Sequence, residues 1–333
     1  MKKAIVLVAI IFILIISLSL TFMLGKSTAK EYENVSVAVE FNNHAAAAYI
    51  AKHFDWFKEN GLNITTFNSY VTGVALANAL ARGDVDAAYV CLGPALIAYS
   101  KGVDIVIVSG THLYGYSVVT RREITTPGDL DGKKVGIVEA GSNTDIFFQM
   151  VVKKYDLKNI DVRRGNPPLL TTLLWTGQVD AIVVPEHWAT MASSKEGFHV
   201  LLRSQDVWSG MPGSVLIVKR ELLEKRPEVV EKLVKITEKG VKFIEENKEQ
   251  AAEIIVDELG KASPMGVELK LVEEVSKTLS PSLMLDSMKN LNYTSELDSG
   301  AINQYIEFLY DLGYIENKID VNKIVGAHFS AKG

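Results

Sequence analysis

LARGDVDAAYV (residues 80–90) returns as LWTGQVDAIVV (174–184), and this pair decides the fold. Leu80, Gly83, Val85, Asp86, Ala87 and Ala95 are matched by Leu174, Gly177, Val179, Asp180, Ala181 and Ala189, all at an offset of 94. In each copy a helical stretch stops at glycine, the residue that turns left-handed at a helix end without a steric penalty, and a short apolar strand follows. A Gly-x-Val-Asp-Ala turn arises by convergence too. Six identities in one strand–helix setting indicate a duplicated unit.

Outward from the first copy, 35–41 and 62–67 read as strands, 44–60 and 72–82 as helices, and 104–110 as a closing strand. Around the second copy, 134–140, 160–164 and 198–203 read as strands, with helices over 143–155, 168–175 and 185–194. Strands alternating with helices predict an α/β fold with parallel pairing and helices on both sheet faces. From 226 onward the pattern is amphipathic helix, at 227–244, 267–279 and 300–312, expected to pack on one lobe.

The 333 residues suffice for two ordinary cores. With 35 basic and 40 acidic side chains the net charge is −5, so the basic footprint of a nucleic-acid partner is missing. A single cysteine, Cys91, excludes a disulfide framework or a CxxC metal site. Met1-Lys2-Lys3 precedes an uncharged apolar run at 4–24, an export signature. That run exceeds the roughly 7–15 residues of a secretory core and approaches the roughly 20 that span a bilayer. Residues 1–29 are therefore a signal peptide, cleaved near Ser27-Thr28-Ala29, or a retained anchor. Either way the body lies outside the cytoplasm.

In open α/β sheets ligands bind at the carboxyl ends of strands, where helix N-termini present backbone N–H groups. That rule selects Asn42-Asn43-His44, Tyr70-Val71-Thr72-Gly73 and Cys91-Leu92-Gly93 in the first series. The second series adds Gly141-Ser142-Asn143-Thr144, Gly165-Asn166 and Pro185-Glu186-His187. Capping alone favours such residues in any one loop; six converging loops indicate a binding cleft. Tyr114, Tyr116, Trp188 and Trp208 fall near it, as lobe packing or as platforms for a flat ligand. Arg163 and Arg164 end a strand, as an anion contact or a solvated pair. Glu186 is the acid expected to face the ligand, and Cys91 a small buried hydrophobe. His44, His112 and His187 lack the HxH or HxxxH spacing of a metal site, so no metal and no cofactor is expected. GxSxG, P-loop and GxGxxG motifs are absent, so no catalytic residue is assigned.

TPGDLDGKKVGI (126–137), ALARGDVDAAYVCLGPAL (79–96) and SVLIVKRELLEKRPEVVEKLVKITEKGVKFI (214–244) together resemble type II solute-binding proteins of ABC importers, in the nitrate/sulfonate/taurine and thiamine-precursor branch. The resemblance implies a two-lobed periplasmic-binding-protein-like type II fold, each lobe a mostly parallel sheet flanked by helices. Lobe 1 would comprise 30–115 and 208–333, lobe 2 116–207, with crossings near 110–116 and 207–213. It carries ligand contacts to Asn42, Asn43, His44, Thr72, Gly73, Leu92, Gly93, Ser142, Asn143, Thr144, Glu186 and His187; Tyr114, Asn166 and Trp208 join them from the loop reading. The implied ligand is a small anion or a heteroaromatic compound, and the implied partners are an ABC permease and its ATPase, the chain acting as a monomer. Enzymes of pyrimidine or menaquinone-precursor synthesis share the fold, and a ligand-sensing ectodomain is the other rival. The cysteine-rich cluster of the pyrimidine enzyme is missing here.

Overall fold

Two five-stranded sheets organise residues 32–326, the part of the chain that the computed structural model describes. In chain order the strands are β1 (Glu33–Glu40), β2 (Leu62–Tyr70), β3 (Ala87–Cys91), β4 (Ile105–Gly110), β5 (His112–Tyr114) and β6 (Tyr116–Arg121). They continue with β7 (Lys134–Ile137), β8 (Asp161–Arg164), β9 (Ala181–Pro185), β10 (Phe198–Arg203), β11 (Ser214–Lys219) and β12 (Leu291–Tyr293). One sheet has the order β2-β1-β3-β11-β4 and the other β10-β6-β9-β7-β8, while β12 and β5 form a small ribbon. From Asn34 onward the chain packs as one unit. The apolar run 4–24 and the cleavage motif lie outside the described residues. Among those described, no helix is long and apolar enough to cross a membrane.

The repeat has a physical basis that the two sheets share. Gly83 and Gly177 take φ of +85° and +75°, which a side chain would resist. Three residues on, Asp86 accepts from the Ser36 backbone N–H at 3.0 Å, pinning β3 to β1. Asp180 accepts from the Lys134 N–H at 2.9 Å, pinning β9 to β7. Each aspartate also meets a cation from its own sheet, Lys219 at 3.4 Å and Arg121 at 3.6 Å.

Pairing is mixed, with more antiparallel neighbours than a mostly parallel sheet suggests. β1 pairs parallel with β3, and β7 with both β8 and β9, but β11 runs antiparallel between β3 and β4. β6 is likewise antiparallel to β9 and β10. The chain passes between the sheets twice, and the strand that ends each crossing, β6 or β11, runs against its neighbours. The helix expected over 44–60 is broken. A 3-10 turn, Asn43–Ala45, leads into a helix Ala46–His53, and Asp55 at φ 55° separates that from Trp56–Glu59.

The C-terminal helices do not stay on one sheet. Helix Pro227–Glu246 packs on Ala46–His53 of the first, whereas Pro281–Met288 packs on Glu186–Ser194 of the second. Buried apolar residues from both sheets and these helices form continuous clusters.

Candidate functional site

The carboxyl ends of β1, β3, β7 and β9 face a narrow cleft between the sheets, with a cavity of about 20 Å³. Of the residues selected from the sequence, Asn42, Thr72, Gly73, Ser142, Asn143 and Thr144 line it, together with Glu40, Cys91, Tyr116, Val138, Pro167 and Pro185. Thr72 caps helix Gly73–Ala81 by accepting from the Ala75 N–H, and Ser142 caps Asn143–Tyr155 through the Asp145 N–H. Asn166 caps Pro167–Trp175 by accepting from Leu169, so it shapes the wall while Pro167 touches the cleft.

Glu40, which the sequence pattern does not flag, and Cys91, which it reads as a small buried hydrophobe, dominate the floor. Glu40 ends β1 and is almost wholly buried. Its carboxylate accepts from the Cys91 N–H at 2.6 Å, the Asn42 amide at 3.0 Å and the Cys91 thiol at 3.0 Å. Cys91 is buried as expected, yet it is a partner in this network as well as packing, its sulfur 3.2 Å from the Tyr116 hydroxyl. Desolvation raises the Glu40 pKa, opposed by these donors and reinforced by the charge of Glu139. Burial, then the neighbouring Glu40, pushes the Cys91 thiol well above its usual value. The thiol stays protonated and donates.

Asn143 ties the sheets together. Its amide nitrogen donates to the Tyr116 hydroxyl (2.8 Å) and the Gly213 carbonyl (3.0 Å), and its oxygen accepts from the Gly93 N–H (2.7 Å) and Tyr305 hydroxyl (2.9 Å). All four bonding positions of the amide are used within the protein. Gly93 permits this approach, since a Cβ there would stand 2.6 Å from Ile146.

Several expected contacts lie elsewhere. Asn43 donates to Ser287 and its carbonyl accepts from Tyr293, so it anchors the C-terminal segment. His44 bonds the Gly115 carbonyl through Nε2 (2.9 Å) and packs on His112, ring centroids 4.3 Å apart. Leu92 is core, its N–H given to Gly213. His187 is buried against Trp188. Tyr114 bonds the Ser209 carbonyl, joining the two crossings. Trp208 lines a separate groove with Lys153, Lys154 and Phe308. Burial drives His44, His112 and His187 toward the neutral form, His112 to about 4 and His187 to about 3.

Glu186 is fully buried but does not line the cleft. Ser117 donates to it at 2.5 Å and Asn290 at 3.0 Å, with Arg203 at 3.6 Å. Desolvation lifts its pKa from 4.5 to about 7 despite these partners. The folded protein therefore holds this proton more tightly than the unfolded chain. Its stabilising contribution is complete below pH 4.5 and lost as pH rises through about 7, by about 3 kcal/mol at 1.36 per unit. In urea titrations Glu186→Gln should match the parent near pH 4.5 and be the more stable above pH 7. Parallel pH profiles for the two proteins would contradict the assignment.

Ligand atoms of Glu40, His44 and Cys91 lie within 4.8 Å of one another, a nitrogen, oxygen and sulfur set that suits zinc. Histidine-to-histidine spacing gave no sign of it, because the set has one histidine, four residues from Glu40, and its cysteine lies 47 residues further on. Glu40 and Cys91 meet by hydrogen bond in the arrangement observed.

Solved structures share this architecture. A ligand-binding component of an ABC-type import system from Staphylococcus aureus, with zinc bound, superposes with a TM-score of 0.73 at 15% identity, over 89% of this chain and 97% of that one. The alkanesulfonate-binding protein of Xanthomonas axonopodis pv. citri, bound to MOPS, gives 0.71 at 16% identity, over 89% and 99%. Among curated sequences, the taurine-binding periplasmic protein of Escherichia coli (strain K12) is 27% identical over 209 residues, 60% of this chain. That match spans 63% of the relative's length. The fold is thus that of the periplasmic binding proteins. The profile of the NMT1-like family matches residues 28–256, and the chain belongs to that family.

Proposed function

We propose that the chain is the extracytoplasmic solute-binding component of an ABC importer. The observation that carries this reading is the cleft itself, built from strand ends and capped helix starts of two sheets and bridged by Asn143. In this reading 30–115 and 208–333 form one lobe and 116–207 the other, and the lobes close on a compact solute. The cleft residues Asn42, Thr72, Gly73, Ser142 and Thr144 contact it. Residues 1–29 direct export or hold the protein at the membrane, and a permease with its ATPase accepts the solute unchanged. The taurine-binding and alkanesulfonate-binding relatives support the class of activity.

The test is mass spectrometry of solute released from protein purified under native conditions. One small molecule at near-equal stoichiometry, recovered unchanged after incubation, is the expected result. Conversion of the released molecule by the protein would favour an enzyme instead.

A further inference from the structure

One helix start at the cleft already holds a carboxyl group, and it belongs to the protein. Glu40 stands where the helix beginning at Leu92 and the helix beginning at Gly73 both direct their positive ends. Its Oε1 takes the Cys91 N–H and lies so close to Gly73 that a Cβ on that glycine would approach to 2.4 Å. The next two amides are also taken, Leu92 by the Gly213 carbonyl and Gly93 by Asn143. At this helix start an incoming anion would thus meet a resident carboxylate and amides already bonded.

Charge around the cleft points the same way. Its lining contains one acid, Glu40, and no lysine or arginine. Burial raises the pKa of Glu139, after β7, with the nearby Thr72 hydroxyl opposing it, and its buried Oε2 has no hydrogen-bond partner. The nearby base, Arg164, is paired with Asp145 at 2.7 Å; its charge also lowers the Glu139 pKa, more weakly than burial raises it, and no cation acts comparably on Glu40. Burial raises the Glu40 pKa, and the three donors converging on it oppose that shift. They also leave acceptor capacity on a carboxylate that can take about four bonds.

Building on the importer reading, we propose that the solute presents a cationic or N–H-donating face to Glu40 and Glu139, and that simple anions are excluded. An ammonium, an amidinium or an amino-substituted heteroaromatic ring has this chemistry. A zwitterion satisfies it through its cationic end. Glu40 fixes the donor face and Glu139 supplies the buried acceptor left open beside it.

Matched probes of opposite charge test this on the full chain after dialysis to remove solute. Acetamidinium is set against methanesulfonate and benzamidinium against benzenesulfonate, in calorimetric titrations. In each pair the cation should bind at least tenfold tighter. Glu40→Gln, which keeps shape and volume, should weaken the cation at least tenfold, and Glu139→Gln should weaken it less. Circular dichroism and thermal melts establish that the variants fold. Tighter binding of either sulfonate, unchanged affinity in Glu40→Gln, or no binding of either cation would overturn the proposal. The importer reading is judged separately, by whether a native solute co-purifies and returns unchanged; an anionic native solute would uphold that reading and sink this one.

Discussion

Asn143→Leu is expected to part the two sheets. Leucine fills a similar volume but offers no hydrogen bond to Tyr116, Gly213, Gly93 or Tyr305, all of which now bond the asparagine. A buried polar group left without a partner costs about 1–3 kcal/mol. Four such groups exceed what the apolar contact returns, and water entering an opened cleft is the cheaper outcome. The denaturant midpoint should fall by the equivalent of about 3 kcal/mol, and the radius of gyration from small-angle scattering should rise. Asn143→Asp retains acceptors for Gly93 and Tyr305 but faces the Gly213 carbonyl with negative charge, so its effect should be intermediate. A leucine variant with unchanged midpoint and radius would show that the amide is dispensable.

Gly240→Leu should be the most damaging single change outside the cleft. Helix Pro227–Glu246 crosses Ala46–His53 so closely that a Cβ at 240 would lie 2.8 Å from the Cα, Cβ and carbonyl oxygen of Ala47. Backbone on the far side cannot move aside as a side chain can, so the helices must separate. Overpacking typically costs about 1–3 kcal/mol, and a leucine against backbone belongs at or above the upper end. About 3 kcal/mol corresponds to a thermal midpoint lower by about 6–12 °C. Gly240→Ala should show a smaller drop. If the leucine variant melted within a degree or two of the parent, the close crossing would be absent in solution.

What was legible in the sequence is what local chemistry determines. Gly83 and Gly177 announce helix ends, and Asp86 and Asp180 turn out to do the same work in both sheets. Thr72, Ser142 and Asn166 were readable as caps because a cap acts within three residues of itself. The floor of the cleft was not readable. Glu40 is one polar residue ending an apolar strand, and its main partner, Cys91, is 51 residues away. Glu186 misled for a related reason. It occupies a loop of the right kind, but Ser117, Arg203 and Asn290 draw its side chain away from the cleft. Neither Asn43 nor Glu186 could be placed without the C-terminal segment 287–293, which claims both. The antiparallel strands escaped the periodicity reading because alternation of strand and helix reports sequence order, whereas β11 enters the first sheet from the far side of the second.

That position of β11 has a consequence for the order in which the protein is made. All strands of the second sheet lie between Tyr116 and Arg203, so that sheet is complete once this continuous stretch exists. The first sheet begins at the chain start, yet its central seam between β3 and β4 stays open until Ser214–Lys219 arrives. Through all the intervening synthesis, β3 and β4 each carry an unsatisfied row of backbone donors and acceptors beside apolar side chains. Such open edges invite pairing with other chains. The older half of the sequence thus matures last, and the nascent protein is most exposed to aggregation just before its eleventh strand closes the seam.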